Sequence, residues 1–290
     1  MNAAEQIVNT QEFATLPSVA TKILEFIDSE DVSLSDLGKV MESDPSLTMK
    51  IIKISNSPLY ATRVEVNNIN QAIATLGLNR VSIIVLGVSI FSKFMVSSDK
   101  KLSEFIDEFW THSASTGIVA KSIAAKIGGR FGEKEFLTGL IHDIGKLAMI
   151  QYSPEKYFEV VQSIENEKRY CREVEKEIFG IDNLDILKLI GEKWRLPEDL
   201  SRMITLEIND SYDKISNDVI AVVDLANKLC EIWGSDFHEG LFEIEIGETD
   251  SWKYLQENYE SVRDFDVEAF TFELEEEFKN SSDFLDMIKS

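Results

Sequence analysis

Four ionisable residues interrupt apolar segments whose side chains a folded protein would bury. His112 lies in FWTHSASTGIVA, His142 and Asp143 lie together in LTGLIHDIGKLAMI, and Asp224 lies in VIAVVDLANKLC. A buried carboxylate costs free energy unless it is paired, hydrogen-bonded or bound to a metal ion. Two carboxylates and two imidazoles placed in this way predict that the four side chains meet in the fold.

Together these side chains offer two nitrogen and two oxygen ligands. That set suits one divalent metal ion, among them Zn, Fe, Mn, Ni or Mg, with water completing the shell. Such an ion could activate its water to hydrolyse a phosphate ester. Lys146 follows His142 by four residues and Asp143 by three, so on a helix it shares their face and could contact a phosphate.

A purely structural interpretation of the same residues remains open. Asp143 could pair with His112 or Lys146, and Asp224 could bond a helix N-terminus or Asn227. A histidine on an apolar helix is more often a satisfied core residue than a metal ligand. Only the combination of all four residues favours the metal interpretation.

The other chemically reactive residues give weaker signals. His238, in DFHEG, has acidic neighbours and is predicted to be a surface residue. Cys171 has no histidine nearby to pair with it, so a thiol nucleophile is not expected. The sequence contains no GxxxxGK[ST], GxGxxG or GxSxG motif, so phosphate loops and nucleophile elbows are not indicated.

The elements that position these residues are predicted to be α-helices. Apolar residues recur at helical spacing almost throughout, as at Val119, Ile123 and Ile127. Asp44-Pro45 has a capping residue before a proline, which is typical of a helix start. The alternating segment 242–246 predicts one short strand. The fold class is therefore all-α.

Polar breaks divide the chain into three predicted parts. An N-terminal helical part spans residues 13–105, a second helical part spans 106–235, and an acidic C-terminal extension spans 236–290. Apolar residues in the extension predict a helical appendage that packs on the body. The alternative is an acidic arm that binds a partner.

Composition restricts the classes of partner. The 290 residues include 29 Lys and Arg against 52 Asp and Glu, which gives a formal net charge of −23. Phosphate backbones and anionic membrane surfaces should repel such a chain, so neither nucleic acid nor membrane is an expected partner. The longest apolar stretch, residues 81–91, is too short to cross a bilayer. Two isolated cysteines and an N-terminus without secretory features predict a cytoplasmic protein.

Several segments, in order, resemble the HDOD (HD-related output domain) family of bacterial signalling proteins. The resemblance runs from about residue 13 to about residue 230. Its segments are LPSVATKILEFIDSEDVSLSDLGKVMESDPSLTMKIIKISNSPLY (16–60), INQAIATLGLNRVSIIVLG (69–87), FWTHS, FLTGLIHDIGKLAM (136–149) and GEKWRLPEDL (191–200). The resemblance implies an N-terminal helical bundle joined to a bundle shaped like the HD phosphohydrolases.

In those hydrolases a His, a His–Asp pair and a later Asp bind metal, and the matching positions are His112, His142, Asp143 and Asp224. Related domains often carry further histidines near residues 181–183 and 207–208. This chain has no histidine between 143 and 237, so the resemblance implies no second metal ion. HDOD domains are usually regarded as regulatory outputs without demonstrated catalysis.

These observations favour a non-catalytic signal-transduction output module. It would bind a signalling protein partner, or a small ligand or nucleotide, in the cleft between its two helical units. The alternative is a metal-dependent phosphohydrolase acting on a nucleotide or cyclic dinucleotide. Direct DNA binding is a third interpretation, because residues 71–87 look like a helix–turn–helix with Gly77 at the turn. The apolar second helix and the negative charge oppose it.

Overall fold

The computed structural model describes residues 3–10, 13, 15–27, 34–60, 64–95, 100–263, 266–279 and 286 of the chain. Regular structure in these residues is helical, which confirms the predicted all-α class. The α-helices are α1 (Ala3–Val8), α2 (Ser18–Ile27), α3 (Leu34–Glu42), α4 (Pro45–Ser55), α5 (Ile69–Leu76), α6 (Leu78–Phe94), α7 (Lys100–Ile127), α8 (Lys134–Ile141), α9 (Ile144–Tyr152), α10 (Pro154–Glu167), α11 (Cys171–Phe179), α12 (Asn183–Trp194), α13 (Glu198–Met203), α14 (Lys214–Ile232), α15 (Asp250–Asn258), α16 (Glu260–Arg263) and α17 (Val267–Lys279).

The short strand predicted at residues 242–246 is wrong. The segment is irregular and leads into a single 3₁₀ turn, Ile246–Glu248. Ile246 is buried but Phe242 is 46% exposed, so the alternation is not a continuous core-facing stripe. A strand also needs a neighbour for its backbone N–H and C=O groups, and the described part of the chain offers this segment none.

Helices α2 to α6 pack together at the N-terminal end of the chain. Asp44 caps α4 by accepting a hydrogen bond from the Leu47 N–H at 2.9 Å, and Pro45 begins the helix, as its sequence predicts. Gly77, with φ of 91°, turns the chain from α5 into α6. Every residue of α6 from 81 to 91 is buried, so this helix has no free face for reading a DNA groove.

Helix α7 packs along α8 and α14 and carries His112. The crossing of α7 and α8 is close because glycine faces glycine there. A Cβ atom on Gly139 would lie 2.6 Å from the Cα atom of Gly117. This contact sets the short separation between the two helices that bring His112 and His142 together.

A buried polar contact connects the N-terminal helices to α7. Glu133, between α7 and α8, accepts from Lys121 Nζ at 2.5 Å and from the Tyr60 hydroxyl at 2.9 Å. Arg80 of α6 lies 3.2 Å from the same carboxylate. The Lys121 ammonium also stacks on the Tyr60 ring, 4.1 Å from its centroid. Glu133 therefore joins three parts of the chain.

Residues after 236 pack on α7 and α14. Trp252, Leu255, Phe270 and Leu274 are buried in a cluster with apolar residues of both helices. Asp218 of α14 also accepts hydrogen bonds, from the hydroxyls of Tyr254 (3.0 Å) and Tyr259 (2.6 Å) and from Lys214. These contacts hold α15 against α14.

Some sequence predictions are not decided by these features. The boundaries 13–105, 106–235 and 236–290 stay predictions. Three of the apolar residues on which the predicted packing of the extension rests, Phe284, Leu285 and Ile288, lie outside the described residues. No helix among the described residues is long and apolar enough to cross a membrane.

Candidate metal centre

Three of the four predicted ligands come together inside the protein. His112 lies on α7, and His142 and Asp143 occupy the bend between the end of α8 and the start of α9. All three are buried. Each offers one ligand atom within 4.8 Å of the other two, so the triad has the dimensions of a site for a single ion.

Each of the two imidazoles points its Nε2 atom at the Asp143 carboxylate. His112 Nε2 lies 3.8 Å and His142 Nε2 lies 3.5 Å from Asp143 Oδ2. Their other nitrogens have backbone partners: His112 Nδ1 donates to the Ser235 carbonyl at 2.6 Å, and His142 Nδ1 donates to the Gly139 carbonyl at 2.8 Å. This network assigns the proton to Nδ1 and leaves a lone pair on each Nε2.

The two Nε2 atoms are buried and find no hydrogen-bond partner in the described part of the chain. Buried polar atoms are normally satisfied, so such orphans need an explanation. Metal-bound histidines typically donate one nitrogen to a carbonyl or carboxylate and present the other to the ion. Burial, followed by the nearby His142, lowers the pKa of His112 to about 3, which keeps it in the neutral form that a ligand requires. The triad therefore fits a divalent metal ion.

Lys146 does not have the role predicted for it. Its side chain is fully buried, and its ammonium donates to Asp143 Oδ2 at 2.9 Å, to Glu239 Oε1 and to the Phe237 carbonyl at 3.3 Å. These three acceptors use its three N–H donors. A phosphate contact requires a free donor facing the ligand, so the structure makes Lys146 an internal counter-ion instead.

Asp224 does not join the triad. Its Oδ2 accepts a hydrogen bond from Ser251 Oγ at 2.5 Å and forms an ion pair with Lys228, one turn further along α14. It is absent from the group of ligand atoms that lie within 4.8 Å of one another. Ser251 lies in the first turn of α15, so the predicted contact with a helix N-terminus is made through a side chain, whereas Asn227 is not a partner of Asp224 among the described residues.

A cavity of about 130 Å³ opens against the triad. His142 and Asp143 lie on its wall with Asp224, Asn227 and Arg172. Asn227 is only 7% exposed and its Oδ1 has no hydrogen-bond partner among the described residues. From the sequence, Asn227 is a candidate only as a partner of Asp224. Its spacing of three residues from Asp224 on one helix is the signal that places both on this wall.

Charged residues occupy the region where related domains carry further histidines. Arg172 donates from Nε to Asp182 Oδ2 at 2.9 Å, and its Nη1 lies 3.7 Å from Glu207. Arg172 and Glu207 both line the cavity. The triad is the single His, Cys, Asp and Glu group with metal-binding dimensions among the described residues.

Comparison with known proteins identifies the family. The model of the HDOD domain family matches residues 13–209. The chain belongs to the HDOD family. A curated relative of this HDOD protein, an uncharacterized protein of Treponema pallidum (strain Nichols), is 22% identical over 199 residues, or 67% of the chain. The chain spans 38% of the length of that relative.

Solved structures share the fold of this HDOD protein. An HDOD domain protein with unknown function from Geobacter sulfurreducens has a TM-score of 0.74 at 20% identity, covering 93% of this chain and 92% of that one. A "Putative phosphohydrolase" from Shewanella amazonensis has a TM-score of 0.69 at 19% identity, covering 99% and 97%. A "Putative signal transduction protein" from Marinobacter aquaeolei has a TM-score of 0.66 at 22% identity, covering 95% and 59%.

Part of the HDOD protein's site lies beyond the matched residues. Ser235, which orients His112, and Glu239, which pairs with Lys146, belong to the segment that follows α14. Glu231 accepts from the Phe237 N–H at 3.1 Å, and burial, followed by Glu239, raises the pKa of Glu231 to about 8. The segment 235–240 therefore forms the back wall of the metal centre, which sequence motifs did not reveal.

Neither His238 nor Cys171 is freely exposed to solvent. The His238 ring stacks on Phe105 with centroids 5.7 Å apart and its side chain is 19% exposed, so it lies at the surface but is partly covered. The acidic neighbours suggest an exposed segment, but the adjacent Phe237 is fully buried and anchors the segment to the core. Cys171 is buried, and burial raises the pKa of its thiol, which disfavours a nucleophilic thiolate.

Proposed function

We propose that this HDOD domain is a regulatory signal-transduction module that holds one divalent metal ion in the triad His112, His142 and Asp143 and does not hydrolyse phosphate esters. The observation that carries the proposal is the pair of buried Nε2 atoms without hydrogen-bond partners. Each faces the Asp143 carboxylate, and each imidazole is held in the required tautomer by a backbone carbonyl.

The identity of the ion follows from the ligand types. Imidazole nitrogens suit Zn, Fe and Ni, and carboxylate oxygens suit Mn and Mg, so a two-imidazole site favours the first group. A bound ion would supply a positive charge and Lewis acidity beside Asp143. The residues of this chain hold it by presenting two neutral imidazoles and one carboxylate.

Three features support a regulatory role over catalysis. The cavity of about 130 Å³ is smaller than the roughly 300–1,000 Å³ of typical small-molecule sites, so it would enclose only part of a nucleotide. Lys146 is committed to internal carboxylates. Asp224 is paired with Ser251 and Lys228 instead of the triad.

A coupling between the ion and the rest of the protein would give the module its output. An ion at Asp143 competes with Lys146 for the same carboxylate, and Lys146 also pairs with Glu239 at the start of the C-terminal extension. Metal binding would thereby change the surface formed by that extension. We propose that a signalling protein partner binds this surface, or that a small ligand binds in the cavity.

Phosphate-ester hydrolysis remains the second candidate for one reason. His142 and Asp143 line the cavity, so an ion in the triad would face a space that a small substrate group can enter. Two structural neighbours with TM-scores of 0.69 and 0.57 carry phosphohydrolase in their names, each qualified as putative. At 19% and 21% identity they support the fold and not the activity.

The deciding experiment measures metal content and hydrolysis on the same samples. Protein purified without a metal-affinity tag is analysed by mass spectrometry for Zn, Fe, Mn, Ni and Mg, alongside Asp143→Ala and the control Glu65→Ala, an exposed acid outside the site. We expect about one equivalent in the wild type and control, and loss in Asp143→Ala. Loaded samples should not cleave bis(p-nitrophenyl) phosphate or a nucleotide panel above the Asp143→Ala background.

Two results would contradict the proposal. Absence of metal from every sample, even after incubation with excess Zn²⁺, would reduce the triad to a buried polar network. Turnover that requires His142 and Asp143 would instead establish the phosphohydrolase.

A further inference from the structure

Asp224, the fourth predicted ligand of the metal centre, is held away from the triad by other groups. Asp224 lies on the same cavity wall as His142 and Asp143, but its carboxylate is held by two groups outside the triad. Ser251 Oγ donates to Oδ2 at 2.5 Å, and Lys228 Nζ pairs with the same oxygen. One oxygen of Asp224 therefore receives both a hydrogen bond and a positive charge.

We propose that Ser251, in the C-terminal extension, is a positioning residue that keeps Asp224 off the metal centre, so that breaking this contact tightens metal binding. This inference rests on the proposed metal-binding function. It concerns the affinity of the site for the ion and the residues outside the triad that set this affinity.

The contact is built into the docking of α15. Ser251 is 3% exposed and lies in the first turn of that helix, next to the buried Trp252. Its hydroxyl is out of water, so its hydrogen bond to a carboxylate is stronger than an exposed one. Asp224 can leave only if this bond is broken.

Lys228 adds a second restraint. It follows Asp224 by four residues on α14, and both side chains are about one-fifth exposed. A partly solvated pair of this kind contributes less than the buried hydroxyl. Its charge also opposes a divalent cation near Asp224, so both restraints act in the same direction.

The consequence for the metal centre is a coordination position left open. A triad of two imidazoles and one carboxylate leaves at least one position for water or a ligand, whereas four protein ligands close a tetrahedral site. Release of Asp224 would add a charged ligand from the cavity wall. The extension therefore sets both the affinity of the site and its access.

The test compares Zn²⁺ affinity, measured by competition with a chromophoric chelator, among full-length variants. Ser251→Ala should bind Zn²⁺ about ten-fold more tightly than wild type, since a hydrogen bond to a charged group is lost from the competing arrangement. Ser251→Thr keeps the hydroxyl and should restore the wild-type affinity. The double variant Ser251→Ala with Asp224→Ala should lose the gain, because the gain acts through Asp224.

Tyr254→Phe is the matched control. It removes a hydrogen bond between α15 and Asp218, and so loosens the docked helix without touching Asp224. Its Zn²⁺ affinity should equal that of wild type. An equal gain in Tyr254→Phe would show that loosening alone is responsible and would overturn the role of Ser251.

The remaining outcomes separate this inference from the proposed function. If wild type binds Zn²⁺ and Ser251→Ala binds it equally or more weakly, the inference is wrong and the metal centre stands. If no variant binds Zn²⁺, including Ser251→Ala, both the metal centre and its control are refuted.

Discussion

The ammonium nitrogen of Lys146 lies 2.9 Å from Oδ2 of Asp143, in a part of the protein where the lysine is fully buried. Burial alone would lower the pKa of Lys146, but Asp143 and Glu239 raise it well above its ordinary value. Burial alone would also raise the pKa of Asp143, but Lys146 and the two histidines lower it. The pair is therefore charged, and the metal centre contains a fixed positive charge of its own.

Replacing this charge should destabilise the fold. Lys146→Met keeps the approximate volume but leaves Asp143 and Glu239 buried without their cation. Breaking a buried ion pair from one side costs about 3–5 kcal/mol, so we expect a loss of this size in the free energy of unfolding from urea titration. Zn²⁺ should recover more stability in this variant than in wild type, because the ion can compensate Asp143.

The double variant Lys146→Met with Glu239→Gln is the control for this charge argument. It removes one of the two unpaired carboxylates, so it should be more stable than Lys146→Met alone. A double variant that loses the sum of both single effects would show that packing, and not charge, dominates.

The sequence predicts the helices and the triad for physical reasons that are local. The apolar stripe along 119–127 and the Asp44-Pro45 start each report on one helix, and the structure has helices in both places. His112, His142 and Asp143 are recognisable because each interrupts an apolar segment. A buried ionisable group needs partners, and here the partners are one another.

Lys146 pairs with Asp143, which the sequence offers as an alternative, but its second partner and the partner Ser251 of Asp224 could not be predicted in the same way. Glu239 is 93 residues from Lys146, and Ser251 is 27 residues from Asp224. Both partners lie in the acidic C-terminal extension, where the spacing of a single Glu or Ser does not distinguish it from its polar neighbours. Helical spacing places Lys146 on the face of His142 but does not show that this face is closed by the segment 235–240.

The crossing of α7 and α8 should not tolerate a methyl group. Gly139→Ala would put a Cβ atom 2.6 Å from the Gly117 backbone, so the helices must separate. Overpacking costs about 1–3 kcal/mol and should exceed the helix-propensity gain of Ala, which is about 1 kcal/mol. We expect a net loss in unfolding free energy and weaker Zn²⁺ binding, because the triad spans this crossing.

Gly38 provides the matched position for that substitution. It lies in α3, and a Cβ atom there would meet Asn70 Oδ1 at an ordinary 3.5 Å. Gly38→Ala should stabilise by about 0.5–1 kcal/mol through propensity alone and leave Zn²⁺ affinity unchanged. A Gly139→Ala variant as stable as Gly38→Ala would contradict the close-crossing argument.

Glu133 should be the most sensitive polar link between the N-terminal helices and α7. Glu133→Gln keeps the shape but removes the charge that pairs with Lys121 and Arg80. Lys121 is mostly buried and Arg80 is half-exposed, so we expect a loss of about 2 kcal/mol in urea unfolding. Asp36→Asn, which breaks an exposed pair with Lys39, should change stability by less than about 1 kcal/mol. Equal effects of the two substitutions would refute the link.

A buried carboxyl group makes stability depend on pH near neutrality. Burial, followed by the charge of Glu133, raises the pKa of Glu135 to about 7, although Lys121 and Arg80 oppose this increase. The folded state therefore holds the proton more tightly than the unfolded chain, whose ordinary value is 4.5. This stabilisation is fully present below about pH 4.5 and is lost as pH rises through 7.

Glu135→Gln should remove the loss of stability that wild type shows as pH rises through 7. Relative to wild type, the variant should gain little at pH 5 and on the order of 2–3 kcal/mol at pH 8, measured by urea unfolding at each pH. Glu175 and Glu231 have pKa values raised in the same direction, so the wild type keeps a slope and only the difference between proteins reports on Glu135. Glu65→Gln, at an exposed position, should give a difference that does not change with pH. A pH-independent difference for Glu135→Gln would mean that this carboxyl group is solvated and titrates like an exposed one.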